Sequence, residues 1–185
     1  RSTPCGTLFP YTTLSDLEFV TEDGRRLAMT NARRLGRIRL QDDPLNEVPI
    51  CKLGFDPLLD MPSPGRFVGL VQARKAPLKA ILLDQGFAAG VGNWIADEVL
   101  YQAKLSPHRT GSDLTDAEAK RMRTKLGLVV RKAVEVDADK KRFPHTWLFH
   151  HRWGRPEDAK TAKGELIEHE TIAGRTTAWV PTVQD

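Results

Sequence analysis

Cysteine is scarce in this sequence. Only Cys5 and Cys51 occur in 185 residues, far apart and outside any Cys-x-x-Cys pair. That excludes a disulfide framework and a cysteine-built metal site. No apolar run approaches the roughly 18 residues of a bilayer span. The opening stretch, RSTPCGTLFPYTT, lacks the charged-then-apolar layout of a signal peptide, so the expectation is a soluble intracellular protein. The histidines at 108, 145, 150, 151 and 169 form no Ser–His–Asp set and no metal-ligand spacing. There is no Gly-Lys-Ser/Thr loop and no ordered Gly-x-Gly-x-x-Gly after a strand, which excludes the common nucleotide loops. Internal repeats and low-complexity tracts are absent.

What is present is a core-forming fraction of apolar residues, 40%, and a mildly basic balance, net charge +4. Mild basicity points only weakly to an anionic partner. Its distribution says more. RRLGRIRL (33–40) holds four arginines in eight residues, KRMRTKLGLVVRK (120–132) is basic along a predicted helix, and 137–155 mixes Lys, Arg and His with Phe and Trp.

The predicted order of elements is α+β. LEFVT and RRLAMT around Asp23-Gly24 read as a β-hairpin, and the alternation in GRIRL (36–40) suggests a further strand. Residues 41–64 read as a linker with one short helix near Pro57–Leu59. From Gly65 to about Asp137 the apolar residues recur at helical spacing. Thr115–Glu118 has the capping-box pattern, and Met122, Leu126, Val129, Val130 and Ala133 form the inward stripe of a long helix. Near the C-terminus, GELIEHET and RTTAWVP flank Gly174 as a second hairpin. The domain reading is a β-part with linker over 1–58, a helical domain over 59–150 and a hairpin over 151–185. Asp97 and Glu98 are expected at a solvent-facing or capping position.

The informative stretch is DQGFAAGVGNWIADEVLYQAKLSP (84–107). Gly86, Gly90 and Gly92 precede a helix that opens with Asn93. Glycines there let the backbone approach something closely, and a helix start offers unpaired amides and partial positive charge to a phosphate. Spacing alone also allows tight helix packing with Asn93 as an ordinary cap.

This stretch resembles the helix–two-turns–helix motif of the formamidopyrimidine-DNA glycosylase/endonuclease VIII family of base-excision repair enzymes. RRLG (33–36), PLKAILLDQ (77–85) and GRTTAWVP (174–181) extend the likeness over roughly residues 17–184. The resemblance implies double-stranded damaged DNA as partner, no cofactor, a monomer, and a place in the nucleus or an organelle. It implies phosphate contacts from Gly92, Asn93, Lys79 and Arg74. It also implies a loop, Arg33, Arg34 and Leu35, that fills the space left by an extruded base. Leu35 stands where the family usually has phenylalanine. Lys160, Lys163, Val180 and Val183 stand where many relatives carry zinc-binding cysteines, so the hairpin is similar to the zincless-finger branch, held by packing of Ile167, Ile172, Trp179 and Val180. Arg175 matches the finger arginine implicated in δ-elimination.

The family's chemistry uses an N-terminal proline amine, assisted by a glutamate, to attack an extruded nucleotide. Here Pro4 follows three residues, and no Pro-Glu start is found. The expectation is therefore a glycosylase/AP-lyase for oxidised purines whose chain as given lacks the nucleophile. The alternatives are a non-catalytic damaged-DNA-binding protein of the same fold and an RNA-binding protein. The tail hairpin argues against the last.

Overall fold

The computed structural model describes residues 15–31, 36–154, 156 and 158–185. The chain divides into two compact units, residues 1–44 and 45–185.

In the first unit, β1 (Ser15–Val20) pairs antiparallel with β2 (Arg26–Thr30). The predicted turn forms as read. Gly24 takes φ 81°, its N–H donates to the Thr21 carbonyl at 2.9 Å, and Arg25 Nε donates to Asp23 Oδ2 at 2.8 Å. Across the ladder, Arg26 pairs with Glu18. Residues 36–40 differ from expectation: they form no strand, and Leu40 is fully exposed. Alternation needs a neighbouring strand to become a ladder, and among the described residues none pairs there.

The second unit is helical with a terminal hairpin. Residues 41–64 hold a 3₁₀ turn at Ile50–Lys52. The helix expected near Pro57–Leu59 is only a turn. Asp56 Oδ1 accepts from the amides of Leu58 (2.7 Å) and Leu59 (3.3 Å), a local bond that competes with a helical ladder.

Four helices follow: α1 (Pro64–Gln72), α2 (Leu78–Leu83), α3 (Asn93–Ala103) and α4 (Asp116–Glu135). Proline at the first position of α1 costs no intrahelical bond. α4 starts with the predicted reciprocal box. Thr115 Oγ1 accepts from the Glu118 amide at 3.3 Å, and Glu118 Oε2 accepts from the Thr115 amide at 2.8 Å. Arg109 clamps the same carboxylate, which lies at a pKa of about 2, chiefly because of that guanidinium.

Met122, Leu126 and Val129 are buried as predicted, with Val130 and Ala133 partly so. They face α1 and α3 around a core that includes Phe67, Val71, Leu82 and Leu100. Phe55 meets Phe67 and Phe87 edge-on and those two tilt against each other, at centroid distances of 5.2–5.9 Å. No helix among the described residues is long and apolar enough to cross a membrane.

β3 (Glu168–Ile172) and β4 (Arg175–Trp179) form the second hairpin. Its loop is Ala173 (φ 51°) and Gly174 (φ 70°), the two-residue turn whose twist suits adjacent strands. The hairpin is held by Ile167, Ala178 and Val180 packed with Tyr101, Leu148 and Ala159. Val183 packs against this cluster, while Ile172 is buried outside it and Trp179 is half-buried, edge-on to His108. Tyr101 donates to Glu165 at 3.0 Å and Thr161 to the same oxygen at 2.7 Å, tying the strands' approach to α3.

Candidate nucleic-acid interface

The junction from α2 to α3 is built by side chains that hold a compact turn. Asp84 accepts from the Gly86 amide at 2.9 Å. Gln85 accepts from the Gly90 amide at 2.9 Å and donates to the carbonyls of Leu83 (3.0 Å) and Val91 (3.1 Å). Gly90 takes φ 79°, which accounts for that glycine. Gly92 is different. Its φ is −103°, open to any residue, and a Cβ there would meet no heavy atom within 4 Å. Neither backbone conformation nor internal packing requires a glycine at 92. The space beside it is open, at the amide-bearing start of α3.

Asn93 is the first helical residue, and Gly92 is the cap. The Asn93 side chain does not cap. Its Nδ2 donates to the Thr176 carbonyl on β4 at 2.8 Å, and its Oδ1 is buried with no donor among the described residues. One turn on, Asp97 is buried with both oxygens occupied. Oδ1 accepts from Lys79. Oδ2 accepts from Arg152 Nη2 at 2.6 Å, Arg152 Nε at 3.1 Å and the Ala178 amide at 3.1 Å. Lys79, fully buried, also donates to the Asn93 carbonyl at 2.9 Å. Burial pushes its ammonium below the usual lysine range. Asp97 opposes that shift, and the charges of Arg152 and Arg175 add to it. Two cations around one carboxylate leave a net positive charge beneath the helix start.

Arg175 is exposed at the beginning of β4, and among the described residues no carboxylate pairs with it. With Gly90, Gly92, Gln85 and Ala173 it lines a cleft of about 540 Å³. The structure thus brings Gly92, Asn93 and Arg175 together. Lys79 lies beneath them, enclosed, so its charge reaches Asp97 rather than solvent. Arg74 lies elsewhere. Its guanidinium sits 4.7 Å over the Phe87 ring and donates to the Leu70 carbonyl at 2.8 Å, lining a second cleft of about 370 Å³ with Arg66. Arg33, Arg34 and Leu35 fall outside the described residues.

The expectation for Asp97 and Glu98 is corrected: both are buried, at 1% and 0% exposure. Glu98 accepts from Gln102 Nε2 and from the Phe149 amide, each at 2.8 Å. Desolvation raises its pKa to about 7, against the lowering effect of those bonds. The signal was present in the sequence. NWIADEVLYQA is apolar on both sides of its acids, the pattern of a helix buried all round rather than on one face. Nothing in the sequence marked Arg152 as the partner of Asp97.

Residues 53–145 match the family model described as the formamidopyrimidine-DNA glycosylase H2TH domain. A formamidopyrimidine-DNA glycosylase of Arabidopsis thaliana is 43% identical over 163 residues, covering 88% of this chain and 42% of the relative. One from Thermus thermophilus is 38% identical over 175 residues, covering 88% of this chain and 65% of the relative. The chain therefore spans less than two thirds of the length of these curated relatives. The crystal structure of the MutM (Fpg) protein from Thermus thermophilus matches with a TM-score of 0.73 at 34% identity, over 99% of this chain and 73% of that one. A Lactococcus lactis Fpg in complex with Fapy-dG-containing DNA shares the fold, with a TM-score of 0.76 at 24% identity over 96% and 68% of the two chains. With its helical junction and terminal hairpin arranged as in these proteins, the chain belongs to the formamidopyrimidine-DNA glycosylase family.

Proposed function

We propose that this chain supplies the duplex-gripping part of a DNA base-excision repair glycosylase with AP-lyase activity toward oxidised purines. One observation carries the reading: an unrequired glycine, a helix start and a hairpin arginine with no carboxylate partner among the described residues converge on one cleft. A phosphate approaching Gly92 would meet the first amides of α3 with no Cβ in the way. Asn93 uses one amide hydrogen on Thr176 and keeps a second for an external acceptor. Arg175 closes the cleft from the hairpin side. Such contacts fix the register of a strand without reading its sequence.

Arg74 stands as a more distant backbone contact. Arg33, Arg34 and Leu35 are assigned to the vacated base position on the strength of the resemblance. Arg175 also carries the proposed δ-elimination role. The amine nucleophile of the covalent step is assigned to no residue of this sequence. A monomer acting in the nucleus or an organelle fits the reading, supported by the likeness to a plant relative.

A non-catalytic damaged-DNA-binding protein of the same fold is the second reading. The test uses a fluorescent duplex carrying one abasic site. Arg175→Ala lowers affinity about tenfold and flattens the slope of log K against log salt by about 0.9, one phosphate contact. Unchanged affinity and slope refute the grip. Borohydride in the same mixture tests for the covalent step. This chain is expected to bind without a covalent adduct, and an adduct would reveal an amine nucleophile and favour the enzyme.

A further inference from the structure

Among the described residues β3 and β4 form a sheet of two strands, so β4 has an edge with no described strand beside it. The register Ile172↔Arg175, Glu170↔Thr177, Glu168↔Trp179 turns the backbone N–H and C=O groups of Arg175, Thr177 and Trp179 toward β3. Thr176 and Ala178 face the other way, and their groups are taken up by α3. Asn93 donates to the Thr176 carbonyl at 2.8 Å, and Asp97 accepts from the Ala178 amide at 3.1 Å.

The spacing matches. Residues four apart on a helix share a face and lie about 6 Å apart along its axis. Residues two apart on a strand lie about 6.6 Å apart and use the same edge. The two ties therefore run as parallel rungs, and the next position up from Thr176, Arg175, comes level with Gly92.

From this register we propose that Asp97 is a positioning residue of the phosphate grip. It holds β4 at one setting along α3, so that Arg175 faces the cleft at Gly92. The proposal rests on the DNA-binding reading above. Packing of Ala178 and Val180 seats β4 on α3, and Asn93 supplies one hydrogen-bonded tie that sets its position along the helix. Asp97 supplies the second point, and its carboxylate is fixed in turn by Lys79 from α2 and Arg152 from the segment before the hairpin. A buried ion pair is poor evidence for stability, because apolar replacements often do as well. Its best-attested use is to select one arrangement among several. Here four donors from three parts of the chain converge on one carboxylate, which a slipped hairpin could not satisfy.

The test compares Asp97→Asn, Arg175→Ala and their combination in abasic-duplex binding, with melting curves to establish the folded fraction. Asp97→Asn places an amide against the Lys79 ammonium, so Lys79→Gln/Asp97→Asn, which substitutes an amide pair, is measured beside it. If Asp97 acts through Arg175, each single change weakens binding of the folded protein about tenfold. The combination is then no weaker than Arg175→Ala alone, and the salt slope of Asp97→Asn falls by about one phosphate. Losses that multiply overturn the proposal, as does full affinity in a folded Asp97→Asn protein. Failure of both Asp97 variants to fold would assign the residue to core integrity and overturn it as well. If Arg175→Ala itself leaves binding unchanged, the grip fails. If Arg175→Ala weakens binding and folded Asp97→Asn does not, only the positioning role fails.

Discussion

Glu98→Gln provides a quantitative check on the interior of α3. Glu98 is fully buried, and its pKa is raised to about 7 from an ordinary 4.5, first by desolvation. Because the folded value lies above the unfolded one, the native state holds a proton between pH 4.5 and 7 that the unfolded chain has released. The stabilisation is complete below pH 4.5 and is lost as pH climbs through 7. The interval of 2.5 pH units, from 4.5 to 7, corresponds to about 3 kcal/mol at 1.36 kcal/mol per unit.

Glutamine keeps an acceptor for the Phe149 amide and cannot ionise. Urea unfolding followed by tryptophan fluorescence, from pH 4 to pH 8.5, should show the stability difference between the two proteins moving by about 3 kcal/mol in favour of Glu98→Gln. Other titrating groups cancel in that difference. Parallel curves for the two proteins would refute the assignment of a neutral, buried carboxyl at this position.

Gly92→Ala separates folding from binding. With φ −103° and no atom within 4 Å of the added Cβ there is no clash to relieve, and the stability loss should stay within about 1 kcal/mol, the order of the cap preference for glycine over alanine. Duplex affinity should fall several-fold, and unchanged affinity would remove the close phosphate approach. Gly111→Ala should do the reverse. Its Cβ would stand 2.7 Å from the Arg74 carbonyl and 2.8 Å from Ile81 Cδ1, and closer still to the Val71 carbonyl. A loss of about 1–3 kcal/mol in urea unfolding is expected, and a silent substitution would show that the α1–α2 junction yields easily.

Local chemistry made much of this protein legible before any coordinates. The Thr115–Glu118 box, the α4 stripe and both hairpin turns depend on residues within a few positions of each other, so their patterns carry the outcome. The motif around Asn93 and the tail at Gly174 pointed to a phosphate site by resemblance. The strand expected at 36–40 failed because pairing depends on a distant neighbour.

Long-range geometry decided the rest. Lys79, expected by resemblance as a phosphate contact, is the enclosed partner of an acid 18 positions on. Asp97 and Glu98 looked solvent-facing and became interior, because α3 is covered by α2, α4, the 148–150 turn and β4. Helical periodicity states which residues share a face, but not how many faces are covered. Whether a charge on such a helix meets water or a counter-ion is set only when the chain folds back on itself.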